Sequence, residues 1–87
     1  MSDGLVDCAK NVQSLSDFRD FLVRLKTDLK DSKANWENDD LADYLEGLSG
    51  FCLGMGGYFR NAGEVVDLER PTWNLVAQML VAATVYE

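Results

Sequence analysis

Residues 39–60, DDLADYLEGLSGFCLGMGGYFR, decide the fold of this chain. Apolar side chains recur there at every third or fourth position, a spacing that places them on one face of an α-helix. Asn38, immediately before the stretch, is a favoured helix cap, and the acids that follow suit the positive end of the helix dipole. We therefore predict a helix over residues 39–60. Its predicted buried stripe consists of Leu41, Leu45, Leu48, Cys52, Met55 and Phe59.

Glycine is dense in the same stretch, which contains five of the seven glycines in the chain. Each glycine inside a helix costs about 1 kcal/mol relative to alanine. The cost would be avoided if the helix were split near Gly56-Gly57, or offset if another backbone packed closely against the glycines. We favour close packing within the fold; a helix break and a ligand or partner groove are the alternatives. The glycines at helical spacing, here called the glycine ridge, are Gly47, Gly50, Gly54 and Gly57.

One further helix is predicted on each side of this stretch. Ser14 or Ser16 is suited to cap the first of them, and Pro71-Thr72 is a typical start for the last. Strand-like alternation of apolar and polar residues is scarce. The predicted fold is all-α: a compact bundle of three main helices at about 15–31, 39–60 and 72–86, in a single helical domain over residues 1–87 with residues 1–13 as a poorly defined N-terminal lead.

Apolar residues surround the last predicted helix almost completely, and only Asn74, Gln78 and Thr84 interrupt them before Tyr86. A helix that is apolar nearly all round has to be buried nearly all round. Two other helices are too few to cover it, so we expect the chain to form a homodimer through one stripe of this helix. The predicted self-association residues are Leu75, Met79, Ala82 and Tyr86.

The net charge of −7 comes from the second part of the chain, where residues 37–87 contain nine acidic side chains against Arg60 and Arg70. Phosphate backbones and anionic membrane surfaces attract basic proteins, so we expect neither nucleic acid nor a membrane as a partner. The acidic run at the start of the second helix is either a solvated helix face or a surface that binds a basic protein. The predicted partner-binding residues are Glu37, Asp39, Asp40, Asp43 and Glu46.

Patterns for catalysis or metal binding are lacking in the sequence. It contains no histidine, the commonest general base and metal ligand. Cys8 and Cys52 form no metal or redox motif, and we expect Cys52 to be a buried, inert thiol. A Ca²⁺ loop fitted to residues 35–46 lacks its glycine at the sixth position. We therefore predict a protein that is no enzyme and binds no metal or cofactor. The acidic N-terminus and the absence of a membrane-length apolar stretch predict a cytoplasmic location.

A series of short motifs lies along the chain. In order they are Trp36-Glu37-Asn38, Leu41, Tyr44-Leu45-Glu46, Gly57-Tyr58-Phe59-Arg60-Asn61, Gly63, Pro71, Trp73, Ala82-Ala83 and Tyr86-Glu87. In order and spacing they resemble a family of small, uncharacterised bacterial proteins that is classed only as a domain of unknown function. The resemblance covers about residues 14–87. The family tends to have Trp at or beside the position of Cys52, and acids where this chain has Gly54 and Gly56, so the resemblance implies no shared carboxylate site.

Two classes of function follow from these patterns. The first is a non-catalytic protein-binding module that presents its acidic helix face to a basic partner, for example an immunity-type inhibitor of a cationic toxin. The second is a small-molecule or metal-ion sensing domain with a pocket lined by the glycine ridge and by aromatic residues such as Tyr44 and Tyr58.

Overall fold

The computed structural model describes residues 3–86, which form helices and connecting segments without any strand. The predicted all-α class is therefore confirmed, although residues 3–86 form four helices rather than three. A short 3-10 turn lies between the second and third of them. The elements are α1 at Asp3–Lys10, α2 at Leu15–Asp31, the 3-10 turn at Lys33–Asn35, α3 at Leu41–Asn61 and α4 at Trp73–Ala82.

The observed helices agree only in part with the predicted ones. α2 has its predicted bounds. α3 is one continuous helix, so the alternative of a break near Gly56-Gly57 is wrong, and it begins at Leu41 rather than at residue 39 because Asp40 is its cap. α4 ends at Ala82 rather than at residue 86, because the N–H groups of Thr84 and Val85 donate to carbonyls only three residues back and tighten the chain into a turn. The N-terminal lead contains a helix, α1, where the sequence analysis predicted none.

Side-chain caps mark the starts of the three longer helices. The Ser14 hydroxyl accepts a hydrogen bond from the N–H of Asp17 at 3.0 Å, which selects Ser14 rather than Ser16 as the cap of α2. Asp40, not Asn38, caps α3 by accepting from the N–H of Asp43 at 2.8 Å. Thr72 caps α4 in the same way. Each cap satisfies a backbone donor that the helix itself leaves unpaired.

The apolar interior consists of two groups of buried residues. The first core joins α1, α2 and α4, and the second core joins α3 and α4. α4 contributes to both, which explains why apolar residues surround it almost completely. The buried residues of the first core are Leu5, Ala9, Val12, Phe21, Leu25, Trp36, Ala77 and Val81. Those of the second core are Phe51, Met55, Phe59 and Leu75.

Candidate functional site

The glycine ridge of α3 packs against the end of the chain. A Cβ atom at Gly47 would lie 2.6 Å from Nδ2 of Asn38 and 2.8 Å from the carbonyl oxygen of Ala83. At Gly50 it would lie 3.1 Å from the ring of Tyr86, and at Gly54 it would lie 2.9 Å from the hydroxyl of Tyr86. The interpretation of close packing within the fold is confirmed at these three glycines. The fourth, Gly57, has no such neighbour within 4 Å among the described residues.

Asn38 ties the start of the acidic segment to the end of the chain. Its side-chain Nδ2 donates to the carbonyl oxygens of Ala83 and Tyr86, both at 2.9 Å, and its backbone N–H donates to the carbonyl of Thr84 at 2.9 Å. These bonds replace the capping role that the sequence analysis predicted for Asn38. They also fix the segment 37–40, which precedes α3, against a part of the chain more than forty residues away.

The stripe predicted for self-association lies inside the fold. Leu75 is buried in the second core, and Met79, Ala82 and Tyr86 are partly buried against the same core. The premise that too few helices would cover α4 is wrong, because α1 packs against α4 as well. Self-association of the chain stays a prediction, but this stripe does not present an open surface for it.

The five acidic residues predicted to bind a partner are all exposed, at the start of α3 and just before it. We call Glu37, Asp39, Asp40, Asp43 and Glu46 the acidic face. Within residues 3–86 only Asp39 has an ion pair, a long and exposed one of 3.9 Å to Nζ of Lys33. The negative charge of Asp40, next to it in space, raises the pKa of Asp43 above its ordinary value of 3.8. The acidic face therefore carries negative charge that the described residues barely neutralise.

An apolar cleft of about 420 Å³ borders the acidic face, between α2 and the start of α3. We call it the groove. Two of its leucines, Leu22 and Leu41, are substantially exposed. The apolar lining comes from three elements distant in sequence and from the segment before α3. Its members are Leu22, Leu25, Leu29, Trp36, Leu41, Tyr44 and Leu80, and its polar neighbours are Lys26, Asn38, Asp39 and Asp40.

The two aromatic rings of the groove have polar atoms that are already bonded within the protein. Trp36 and Tyr44 stack with ring centroids 5.8 Å apart. Nε1 of Trp36 donates to a carboxylate oxygen of Asp28 at 2.7 Å, and the hydroxyl of Tyr44 donates to the carbonyl of Leu80 at 2.7 Å. Burial raises the pKa of Tyr44 to about 12, so this hydroxyl stays protonated at neutral pH. The groove thus offers an apolar surface with its aromatic donors occupied.

The buried stripe predicted for α3 is confirmed near the C-terminal end of the helix and is wrong near its N-terminal end. Met55 and Phe59 are buried as predicted, but Leu41, Leu45 and Cys52 are exposed. The helix is rotated so that Gly47 meets the end of the chain, which a side chain at that position would prevent. The residues that α3 buries are Gly47, Phe51, Met55 and Phe59.

The sequence analysis missed the groove. Leu41 was predicted to be buried in the stripe of its own helix, whereas it lies at the surface and lines the groove together with Leu22 of α2. The signal that could have shown this is the i, i+4 spacing of Gly47, Phe51 and Met55, because it defines a second apolar face on α3. Leu45 lies about 120° around the helix from Phe51 and so points away from that face. Leu41 has the same angular position as Phe59 and is exposed because the elements that cover Phe59 do not extend to it.

Among the described residues, no group of three or more histidine, cysteine, aspartate or glutamate side chains is arranged to hold a metal ion. Each described helix is either too short or too polar to cross a lipid bilayer. Other clefts are present, among them one of about 550 Å³ between the end of α1 and the start of α4. The groove differs in that it is lined mainly by apolar atoms and adjoins Asp39 and Asp40.

These observations define the class: a small all-helical domain with an acidic surface next to an apolar cleft. The chain belongs to a family of unknown function (DUF7660), whose model matches residues 14–87. That match begins at Ser14, the cap of α2, so α1 lies outside it even though Leu5 and Ala9 are part of the first core. No curated protein and no solved structure matches the chain.

Proposed function

We propose that this protein is a non-catalytic protein-binding module whose acidic face meets a basic partner. The observation that supports the proposal is the position of the acidic face: five acids are exposed within residues 37–46, and two of them, Asp39 and Asp40, line an apolar groove. Such an arrangement combines long-range attraction with a surface that gains free energy when it is covered.

The two parts of this surface contribute differently to binding. Unpaired surface carboxylates steer a basic protein toward the domain and raise the association rate, an effect that salt screens. An apolar centre with a polar rim resembles the anatomy of protein interfaces, in which a few well-packed side chains carry most of the binding free energy. The acidic face would therefore set the choice of partner, and the groove would set how long the complex lasts.

The first test is an affinity capture from lysate of the source organism, followed by washes of rising salt and mass spectrometry of the proteins released. We expect a basic protein to elute as the salt concentration rises. Its dissociation constant is then measured for the native chain and for the triple variant Asp39→Asn, Asp43→Asn and Glu46→Gln. We expect the triple variant to bind about tenfold more weakly at low salt, because three steering charges are lost.

A matched control removes the same amount of charge elsewhere. The variant Glu64→Gln, Asp67→Asn and Glu69→Gln changes three exposed acids in the segment before α4 and has the same net charge as the first variant. We expect it to bind like the native chain. The proposal fails if the affinity for the partner barely changes with ionic strength, or if both variants lose affinity equally.

A second candidate is the sensing of a small apolar molecule. The volume of the groove, about 420 Å³, falls within the range of ligand pockets. The glycine ridge is covered at three of its four positions by the protein's own chain, so the groove is the better site for such a ligand. A ligand that binds the folded state raises the melting temperature. We expect a hit in a thermal-shift screen of apolar metabolites if this candidate is right, and no response if it is wrong.

A further inference from the structure

We infer that the segment of the partner that enters the groove is an amphipathic α-helix with basic residues along one flank. This inference rests on the proposed function, and it names the secondary structure, the apolar spacing and the charge pattern of the partner. It is derived from the hydrogen bonds that the polar groups of the groove already make, from the length of the groove and from the charges on its two sides.

The side-chain N–H and O–H donors of Trp36, Asn38 and Tyr44 in the groove already have acceptors within the protein, which favours a helix over an extended peptide. Within residues 3–86 there is no strand whose edge could pair with an added strand. An extended segment in this groove would leave buried backbone N–H and C=O groups without partners. A helix satisfies these groups internally and needs only apolar contact.

The length of the groove sets the number of anchoring side chains. On the α2 side it runs from Leu22 to Leu29, which lie seven residues apart on the helix and span about 10 Å. A partner helix lying along this distance contributes about two turns. Two turns place three apolar residues on one face, at positions i, i+3 or i+4, and i+7.

The charges on the two sides of the groove orient the partner helix. Lys26 is the charged residue on the α2 side, whereas Asp39 and Asp40 lie on the α3 side. Asp43 and Glu46 lie further along α3 but line a separate cleft with Gly47 and Tyr86, so Asp39 and Asp40 supply the negative charge at the rim of the groove. A helix with lysines or arginines on the flank that faces α3 matches this pattern, and a helix with acids on that flank is repelled.

Designed peptides test the inference directly. The first is an amphipathic helix of leucine and lysine of roughly 18 residues, or about five turns. The second differs by one central lysine replaced by proline, which breaks the helix but keeps every leucine. The third has glutamate in place of all lysines. Binding to the full chain is followed by NMR, with the indole signal of Trp36 as the groove reporter and that of Trp73, which lies against Phe18, as the control.

We expect only the first peptide to shift the Trp36 signal, while the Trp73 signal stays in place. The double variant Leu22→Ser and Leu41→Ser removes two exposed groove leucines and should weaken this binding about tenfold or more, as loss of central apolar contacts does. The control variant Leu53→Ser changes a leucine that is 92% exposed outside the groove, and we expect it to bind normally. Both variants should unfold like the native chain, which a thermal melt checks.

The outcomes separate this inference from the proposed function. If the proline peptide binds as well as the helical one, or if the double serine variant keeps full affinity, the helix in the groove is wrong while the acidic face can still bind a basic protein. If the helical peptide shifts Trp36 but the double variant Asp39→Asn and Asp40→Asn binds it with unchanged affinity at every salt concentration, the basic flank assigned to the partner helix is wrong. The proposed function fails separately, through the salt dependence of the captured partner. If no peptide shifts Trp36, or if Trp73 shifts equally, the inference is overturned.

Discussion

In the C-terminal half of α3, Phe51, Met55 and Phe59 are buried, with Phe59 only 2% exposed. In the N-terminal half, Leu41 and Leu45 are 73% and 53% exposed, although they continue the same apolar periodicity. One helix therefore uses apolar side chains in two ways. The three buried side chains hold the fold together, and the two exposed leucines lie near the groove and the acidic face.

The difference between the two halves depends on what lies opposite each of them. The C-terminal half faces α4, and Leu75 of that helix completes the second core. α4 ends at Ala82, and the turn that follows covers the glycine ridge instead of the leucines. Periodicity thus predicts that a helix has an apolar face, whereas the length and path of the neighbouring element decide whether that face is covered.

The largest expected effect that separates the two halves is on stability. Phe59→Ala removes a buried ring and should lower the free energy of unfolding by about 3–5 kcal/mol. Leu45→Ala removes an exposed side chain and should change it by less than about 0.5 kcal/mol. Urea unfolding of the two variants measures both values. Equal losses of unfolding free energy in the two variants would show that Phe59 and Leu45 are buried to the same extent, and the two halves of α3 would then not differ.

The glycine ridge gives the next largest effect, with opposite signs at its two ends. Gly47→Ala places a methyl group against the carbonyl oxygen of Ala83 and should destabilise the protein by about 1–3 kcal/mol, as overpacking does. Gly57→Ala has no such neighbour among the described residues and should stabilise it by about 0.5–1 kcal/mol through helix propensity. Thermal unfolding distinguishes them. Stabilisation by both substitutions would mean that the end of the chain does not pack on Gly47.

The smallest effect concerns the charge on the acidic face. The pKa of Asp43 is raised chiefly by the charge of Asp40, so Asp40→Asn should bring it back toward 3.8. Asparagine can still cap α3, which keeps the helix start intact. Asp39→Asn is the control and should lower the pKa less, since Asp39 contributes least. A carbon-detected NMR titration of the Asp43 carboxyl gives these values, and a larger effect of Asp39→Asn would contradict the geometry.

The raised pKa of Asp43 also predicts how the free energy of unfolding depends on pH. A carboxyl whose pKa is raised by folding holds its proton more firmly in the folded state than in the unfolded one. Its contribution to stability is therefore fully present below the ordinary value of 3.8 and is lost as the pH rises through the raised value. Relief of the repulsion between Asp40 and Asp43 by Asp40→Asn should remove this dependence.

The features that could be predicted are those that depend on residues close to one another in the sequence. The bounds of α2 follow from the Ser14 cap and a regular apolar stripe. The acidic face lies within ten consecutive residues, so its exposure at the start of a helix could be predicted. α1 was missed because its short helix has few positions in which to display a period, although Leu5, Ala9 and Val12 have helical spacing and are buried.

Contacts between distant segments could not be predicted from the sequence. Asn38 bonds to the end of the chain rather than capping α3, and the same end of the chain packs on Gly47, Gly50 and Gly54. The groove combines Leu22, Trp36 and Leu80, which are separated by many residues and come together only through the packing of α2, α3 and α4. Its existence depends on that packing and not on any motif.

The most direct test of the central claim is the affinity of the captured basic partner for the native chain and for the variant with Asp39, Asp43 and Glu46 neutralised, measured by calorimetry at low and at high salt. The account predicts tight binding at low salt that weakens at high salt for the native chain, and weaker, less salt-dependent binding for the variant. Equal affinities for the two proteins at both salt concentrations would contradict it.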